Sequence, residues 1–395
     1  MRLSKEFAFY LLASIAVSFL AGSSAPTPLY AVYEAAWGFT PITITVVFGI
    51  YAIAVLGALL VLGSLSDFVG RRPVLIVAAL LQAAAMLIFA TANSVSALIL
   101  ARIVQGISAG GALGAVGAGM LDIDRPRGTI ANAVGPLTGT ATGAIVSGLL
   151  VQYCPAPLHL VYWMFFVIFL AQAAGVLLMP EPISVKPGAL AALRPQFRLP
   201  PAARAPMMLA VPTLLSVWAL AGFYGSLAPT LVRELAGGGS LLLGGLVLFV
   251  LAGSGALTVF YLRAHEARVL MRLGTAALVA GVALTVMAIT GNSLAWFFAG
   301  TAIAGMGFGA GFQGAIRSVV SLAKAHERAG VLSVLYVVAY LSMGIPAVLG
   351  GFRVVHGGGL FATAREYGFV VMALAAVALL GTLVPRRAVL NAAGT

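Results

Sequence analysis

Gly63-Ser64-Leu65-Ser66-Asp67-Phe68-Val69-Gly70-Arg71-Arg72-Pro73 joins two long apolar runs, 41–66 and 73–92. The two glycines let the backbone turn hard and let neighbouring helices approach closely. Asp67 is a carboxylate at the edge of an apolar segment, and Arg71 and Arg72 follow four and five residues on to neutralise it. An ordinary positively charged hairpin would account for the two arginines. It leaves Asp67, Gly63 and Gly70 unexplained at these spacings.

Working outward, the same apolar character continues along the chain. A hydrocarbon core of about 30 Å takes roughly 20 helical residues to cross. Twelve stretches reach that length: 7–33, 41–66, 73–92, 95–120, 129–152, 160–179, 207–232, 240–262, 270–290, 294–318, 330–352 and 366–384. They are continuously apolar, whereas the strands of a membrane barrel alternate, so a β-barrel is excluded. The first run is longer than a signal-peptide core and lacks a convincing small-residue cleavage site, so it is expected to stay in the mature protein. Of 395 residues, 62% are hydrophobic and 8% charged, too little charge to cover a soluble surface of this size. Lys and Arg outnumber Asp and Glu by 22 to 10, a net charge of +12, but the basic residues fall between apolar runs and form no face or stripe for nucleic acid. The single Cys154 excludes an internal disulfide framework and a Cys-rich metal site.

Placing the N-terminus in the cytoplasm puts Arg2, Lys5, Arg71, Arg72, Arg125, Arg127, Lys186, Arg194, Arg198, Arg204, Arg263, Arg268, Arg272, Lys324, Arg328, Arg386 and Arg387 inside. Only Arg233, Arg353 and Arg365 fall outside, so both termini are expected to be cytoplasmic and the protein to sit in a cell (cytoplasmic or inner) membrane. The one long break, 180–206, holds seven of the nineteen prolines and four basic residues and reads as a linker. The expected division is an N-terminal bundle over 1–180, a linker over 181–206 and a C-terminal bundle over 207–395.

The halves look related. Ala25-Pro26-Thr27 recurs as Ala228-Pro229-Thr230, Gly106 and Gly110-Gly111 as Gly305, Gly309 and Gly311, and Gly135-Pro136 as Gly344-Ile345-Pro346, each about 200 residues on. Chance matches among abundant Gly, Ala and Pro compete with duplication here. A six-plus-six repeat around a central loop is the layout of a rocking-bundle transporter, with its site near the midplane.

Three further patterns carry chemistry. Arg102 lies about seven residues, or ~10 Å, inside the outer end of the fourth span, where an arginine faces a cavity or a partner at a cost of roughly 2.5–3.5 kcal/mol. Snorkelling to the headgroups is the competing reading. Gln105, one turn on, shares its face. Gly135, Pro136, Gly139, Gly143 and Ser147 make a flat stripe that admits another helix closely, with Pro136 as a bend. Generic close packing would produce the same stripe. Ala25-Pro26-Thr27-Pro28 breaks the first span, and Glu34 follows near its outer end, either as a solvated loop carboxylate or as an entry or exit point for protons. Tyr51, Trp218, Tyr224 and Gln313 are candidates to line a central cavity, or simply to pack. No Asp, Glu, Lys or His sits at the middle of a span, and His159, His265, His326 and His356 all fall in loops or at span ends. An acid–base enzyme therefore has no paired carboxylates to work with.

The loop at 63–73 resembles the signature of the major facilitator superfamily, G-x-L-x-D-x-x-G-R-R/K, with Phe68 where that family usually has a basic residue. The resemblance implies a conformational latch of Gly63, Asp67, Gly70, Arg71 and Arg72, with Asp122 as a second acid and the N-terminus of span 11, near Gly330, as a dipole facing Asp67. Arg102 to Gly110 resembles the family's R-x-x-x-G-x-x-x-G element, associated there with proton transfer. Gly135 to Gly139 resembles its antiporter element, G-P-x-x-G-G, with Thr140 in place of the last Gly. The proline-broken first span resembles that of twelve-span drug:proton antiporters.

The expected fold is all-α and integral to the membrane: twelve transmembrane helices in two pseudo-symmetric six-helix bundles. The expected function is proton-coupled export of a small hydrophobic or amphiphilic compound by alternating access, with the small molecule, protons and the lipid bilayer as partners. A monomer is expected, with no cofactor and no nucleic acid. No G-x-x-x-x-G-K-S/T sequence is present, so the proton gradient is the expected energy source. Uptake or facilitated diffusion of a metabolite such as an organic anion is the alternative, and a non-transporting sensor or scaffold the second alternative.

Overall fold

The computed structural model describes residues 3–324 and 327–383; Arg2, His326, Arg386, Arg387 and both chain ends lie outside the described residues. The first span is built from α1 (Lys5–Ser24), a 3-10 turn (Thr27–Leu29) and α2 (Tyr30–Trp37). Then come α3 (Pro41–Leu62), the single turn α4 (Ser66–Val69), α5 (Arg71–Ala90), α6 (Val95–Ile123), α7 (Arg125–Tyr153) and α8 (Leu160–Leu178). The linker carries one turn, α9 (Ala189–Ala192). The remaining helices are α10 (Pro201–Ser226), α11 (Ala228–Leu235), α12 (Leu242–Leu262), α13 (Ala267–Thr290), α14 (Leu294–Val320), α15 (Arg328–His356) and α16 (Gly359–Leu383). Among the described residues there are twelve segments long and apolar enough to cross a membrane, and no strand. The protein is an all-α integral membrane protein.

Helix ends follow local chemistry. Asp124, in extended backbone, stops α6 and starts α7, its side chain accepting from the Arg127 N–H at 3.0 Å. Ser4 and Ser94 cap α1 and α6 in the same way, and Pro41, Pro126 and Pro201 occupy first turns, where a missing N–H costs nothing. Two boundaries differ from the sequence reading. The last six residues assigned to the linker are already helical, because Pro201 begins α10. The final two spans are longer than their apolar cores, so Arg353 stands inside α15 and not in a loop, where it forms a two-pronged ion pair with Glu366 of α16 at 2.9 Å for both bonds.

The chain forms two compact units: Met1–Pro195 with Gly239–Phe249, and Gln196–Gly238 with Val250–Thr395. Residues 239–249 pack with the first unit because Gln152 of α7 accepts the Leu241 N–H at 2.8 Å and the Leu242 N–H at 3.3 Å. Aromatic packing fills the first unit, with Phe89 stacked on Tyr162 at 5.0 Å and Phe19 edge-on to Phe169 at 5.4 Å. The second holds an apolar cluster that includes Met207, Leu214, Met271, Val319 and Leu335.

Equivalent small residues do equivalent jobs in the two units. Gly106 and Gly110 of α6 lie against the backbone of α3 at Tyr51 and Val55, and Gly305 and Gly309 of α14 lie against α12 at Leu251 and Gly255. A Cβ at any of these four would overlap its neighbour. The first span of each unit also breaks at its Ala-Pro-Thr, between α1 and α2 and between α10 and α11.

Candidate functional site

The break in the first span determines what can bind to it. Pro26 has no N–H, so the Gly22 carbonyl four residues back loses its helical partner. Gln105 Nε2 donates to that carbonyl at 3.1 Å. Arg102 Nη1 donates to the next carbonyl, Ser23, at 2.8 Å, and Ser147 Oγ of α7 donates to the Ala25 carbonyl at 2.6 Å. Three patterns far apart in sequence therefore converge on one proline-opened segment. The carbonyls left over from a broken helix are satisfied by side chains of α6 and α7.

Arg102 is the centre of this junction and is 0% exposed, so the snorkelling reading is set aside. Its guanidinium also donates to Gln105 Oε1 at 2.6 Å and, through Nε and Nη2, to the Tyr30 hydroxyl. Its carbon lies 5.0 Å from the Tyr51 ring centre, 5.5 Å from Tyr30 and 5.7 Å from Phe89, distances at which aromatic faces attract a cation. Tyr51 is tied in by its hydroxyl, which donates to Ser23 Oγ at 2.9 Å. Buried charges are normally paired, yet among the described residues no carboxylate is a partner of Arg102. Neutral oxygens and ring faces carry the whole burden.

The α7 stripe completes the junction. Cβ atoms at Gly139 and Gly143 would run into the backbone of α1 at Val17 and Ala21, so α7 and α1 are in backbone contact there. Gly135 has more room, its nearest neighbour being the Ala16 methyl at 3.8 Å. Thr140 accepts the Ser24 hydroxyl at its carbonyl, 2.9 Å away. Pro136 lies inside α7. Glu34 is partly buried in α2, and its carbonyl accepts the Gly38 N–H that ends that helix.

At the opposite end of the first unit, the 63–73 loop closes around Arg71. This arginine is 6% exposed; it pairs with Asp67 and donates to Asp122 at 3.2 Å and to Ser66 Oγ at 2.7 Å. Gly70 has φ +99°, a conformation that glycine adopts freely. Gly63 is in ordinary helical backbone; its value is that Gly114 of α6 rests on its carbonyl. Arg72 turns away to the Val176 and Leu177 carbonyls at the end of α8. Gly330 belongs to the second unit, where it packs on the Arg198 backbone.

Glu181 is the residue that sequence reasoning missed. Its carboxylate accepts the Arg71 N–H at 2.8 Å and the Arg72 N–H at 3.0 Å, capping α5 from the start of the linker. The linker is fastened further by the Lys186 N–H to the Phe68 carbonyl at 2.8 Å and by Ser64 Oγ to the Ala192 carbonyl at 3.0 Å. Phe68, the departure from the family pattern, faces Gly188 of the linker. A lone acid between Pro180 and Pro182 was the available signal.

In the second unit, the residue equivalent to Arg102 is Thr301, which shares a hydrogen bond of 2.8 Å with Tyr224. Trp218 packs among Phe308, Phe312 and Tyr340, with Gln313 next along α14. The sequence candidates thus separate: Tyr51 joins Arg102, whereas Trp218, Tyr224 and Gln313 belong to the other unit.

The model of the family described as Major Facilitator Superfamily matches residues 11–265. The chain belongs to the major facilitator superfamily. As a major facilitator it is a membrane transporter, not an enzyme. No curated protein matches it in sequence. Among solved structures, the nucleoside transporter NupG superposes with a TM-score of 0.69 at 11% identity, covering 95% of this chain and 98% of that one. The human organic anion transporter MFSD10 (TETRAN) superposes with a TM-score of 0.68 at 16% identity, covering 97% and 99%. At such identities the likeness concerns the fold of this major facilitator and nothing finer.

Proposed function

We propose that this transporter exports a small, largely apolar compound in exchange for protons, by alternating access, from a cell membrane in which both termini face the cytoplasm. The observation that carries the reading is the double grip on the first span. Arg102 and Gln105 of α6 hold the carbonyls of Gly22 and Ser23, while Gly139 and Gly143 of α7 press onto the same helix at Val17 and Ala21. A change of charge or hydration at either contact acts on one proline-weakened segment, which is what coupling between two transported species requires. Asp67, Arg71 and Asp122 are the proposed latch, and the proton gradient the proposed energy source.

A second reading is favoured by one observation: the buried charge of Arg102 has no carboxylate beside it, which suits an organic anion. The structural likenesses to a nucleoside transporter and an organic anion transporter fit uptake or facilitated diffusion as well as export.

Purified protein in liposomes loaded with a hydrophobic dye tests the choice. Exchange predicts faster dye loss when the outside is made acidic, and a protonophore should remove the difference. Dye flux indifferent to the gradient, alongside saturable organic-anion flux, would establish the second reading instead.

A further inference from the structure

Each unit fastens the end of its last span with arginine, but the two fastenings are charged differently. In the first unit, Arg72 at the start of α5 donates to the Val176 and Leu177 carbonyls at the end of α8, and the Glu181 carboxylate receives the Arg71 and Arg72 N–H groups. In the second unit, Arg268 Nε of α13 donates to the Thr382 carbonyl at the end of α16 at 3.0 Å. Arg272 donates to the same oxygen, through Nε at 3.1 Å and Nη2 at 2.8 Å. Two like charges thus meet on one uncharged acceptor, an arrangement that repels unless an anion joins it. Among the described residues Arg272 has no carboxylate partner, and Glu266, just ahead of α13, is exposed and forms no ion pair. The sequence reverses the charge as well. Glu181 follows the end of α8 by three residues, whereas Arg386 follows the end of α16 by three, and 384–395 contains no Asp or Glu.

Both arginines are half-buried in the first two turns of one membrane-crossing helix, and Thr382 is in the last turn of another, so the pair lies at a membrane surface. Exposed apolar side chains lie within a turn of these groups: Val269 and Leu273 on α13, Leu380 and Leu383 on α16. Guanidinium forks match phosphate oxygens, and basic pockets between membrane helices receive anionic headgroups. We propose that Arg268 and Arg272 bind the phosphodiester of an anionic phospholipid whose acyl chains lie along Leu273 and Leu380. The apolar flank selects a lipid over a free phosphate. This site stands whatever the protein carries.

The test is native mass spectrometry of the full protein in detergent, titrated with dioleoylphosphatidylglycerol or the zwitterionic dioleoylphosphatidylcholine, reading the affinity of the first bound lipid. Wild type should bind the phosphatidylglycerol saturably and the phosphatidylcholine at least about five-fold more weakly. Arg272→Gln and Arg268→Gln each keep a donor for the Thr382 carbonyl and remove one charge. Each should weaken phosphatidylglycerol about five-fold and leave phosphatidylcholine as in wild type, which also shows that the variant is folded. Arg125→Gln, at an exposed arginine that begins α7 in the other unit, should change neither lipid. Phosphatidylglycerol affinity unchanged in both α13 variants would overturn the proposal, and so would an equal loss in Arg125→Gln, which would mark diffuse attraction. Displacement of the lipid by an equal concentration of glycerophosphoglycerol, the headgroup without its chains, would overturn it in favour of a soluble anion.

Discussion

Gln105 Nε2 donates to the Gly22 carbonyl at 3.1 Å, the carbonyl that Pro26 leaves without its helical partner. The side chain replaces a backbone N–H, so the two residues should be energetically coupled. Gln105→Leu is expected to destabilise the folded protein by about 1 kcal/mol in mild-denaturant titrations. Pro26→Ala restores an N–H that can take over the carbonyl, and in that background Gln105→Leu should cost measurably less. Strict additivity in this cycle would mean that the bond contributes nothing.

Arg102 reaches Tyr30, Ser23 and Gln105 with a rigid fork that a lysine ammonium does not reproduce. Arg102→Lys and Arg102→Ala are both expected to lower flux at least ten-fold, equivalent to roughly 1.4 kcal/mol or more of barrier. Initial rates in liposomes, normalised to reconstituted protein, give the comparison. A lysine variant at half the wild-type rate would show that charge alone suffices.

The Asp67 side chain is 56% exposed although its partner Arg71 is buried at 7%. An exposed partner adds little to stability, so Asp67→Asn should change denaturation by less than about 1 kcal/mol. Flux should nevertheless fall at least ten-fold if Asp67 is part of the latch, with expression near normal. Retention of wild-type flux would remove Asp67 from the mechanism.

Glu181 joins the linker to the N-terminus of α5, so its loss should free the segment that follows. Limited chymotrypsin digestion is expected to cut after the exposed Leu190 several-fold faster in Glu181→Ala than in wild type, with the loss of a helix cap costing about 1 kcal/mol. Equal cleavage rates would assign the fastening to the Lys186–Phe68 and Ser64–Ala192 bonds instead.

Small residues should differ sharply by position. A Cβ at Gly143 would lie inside the backbone of Ala21, whereas Gly57 of α3 has nothing within 4 Å. Gly143→Ala is expected to abolish folded yield on size-exclusion chromatography, and Gly57→Ala to be neutral or slightly stabilising, by up to about 1 kcal/mol. Similar yields from the two would contradict the backbone contact between α1 and α7.

Much of this architecture is legible in the linear order. Continuous apolar runs and the spacing of Asp67, Gly70 and Arg71 identify the membrane spans and the family, because each depends on chemistry within one turn or one span. The Ala-Pro-Thr breaks and the Gly106/Gly305 pairs also read correctly as repeats, since each half repeats the same close helix contacts. Helix ends are less visible: α15 and α16 run past their apolar cores because Arg353 and Glu366 neutralise each other across the pair.

Residue types and periodicity by themselves determined that the chain crosses the membrane twelve times and carries an arginine where lipid would be expensive. Only the tertiary structure decided what that arginine touches. Partners such as Tyr30, Ser23 and Phe89 are ordinary residues whose importance arises when folding places an opened carbonyl or a ring face beside the cation. The same holds for Glu181, whose carboxylate becomes a cap only once the linker folds back over α5. Hydrogen bonds and ring contacts act over a few ångströms, and those distances join positions that the sequence separates by tens to more than a hundred residues.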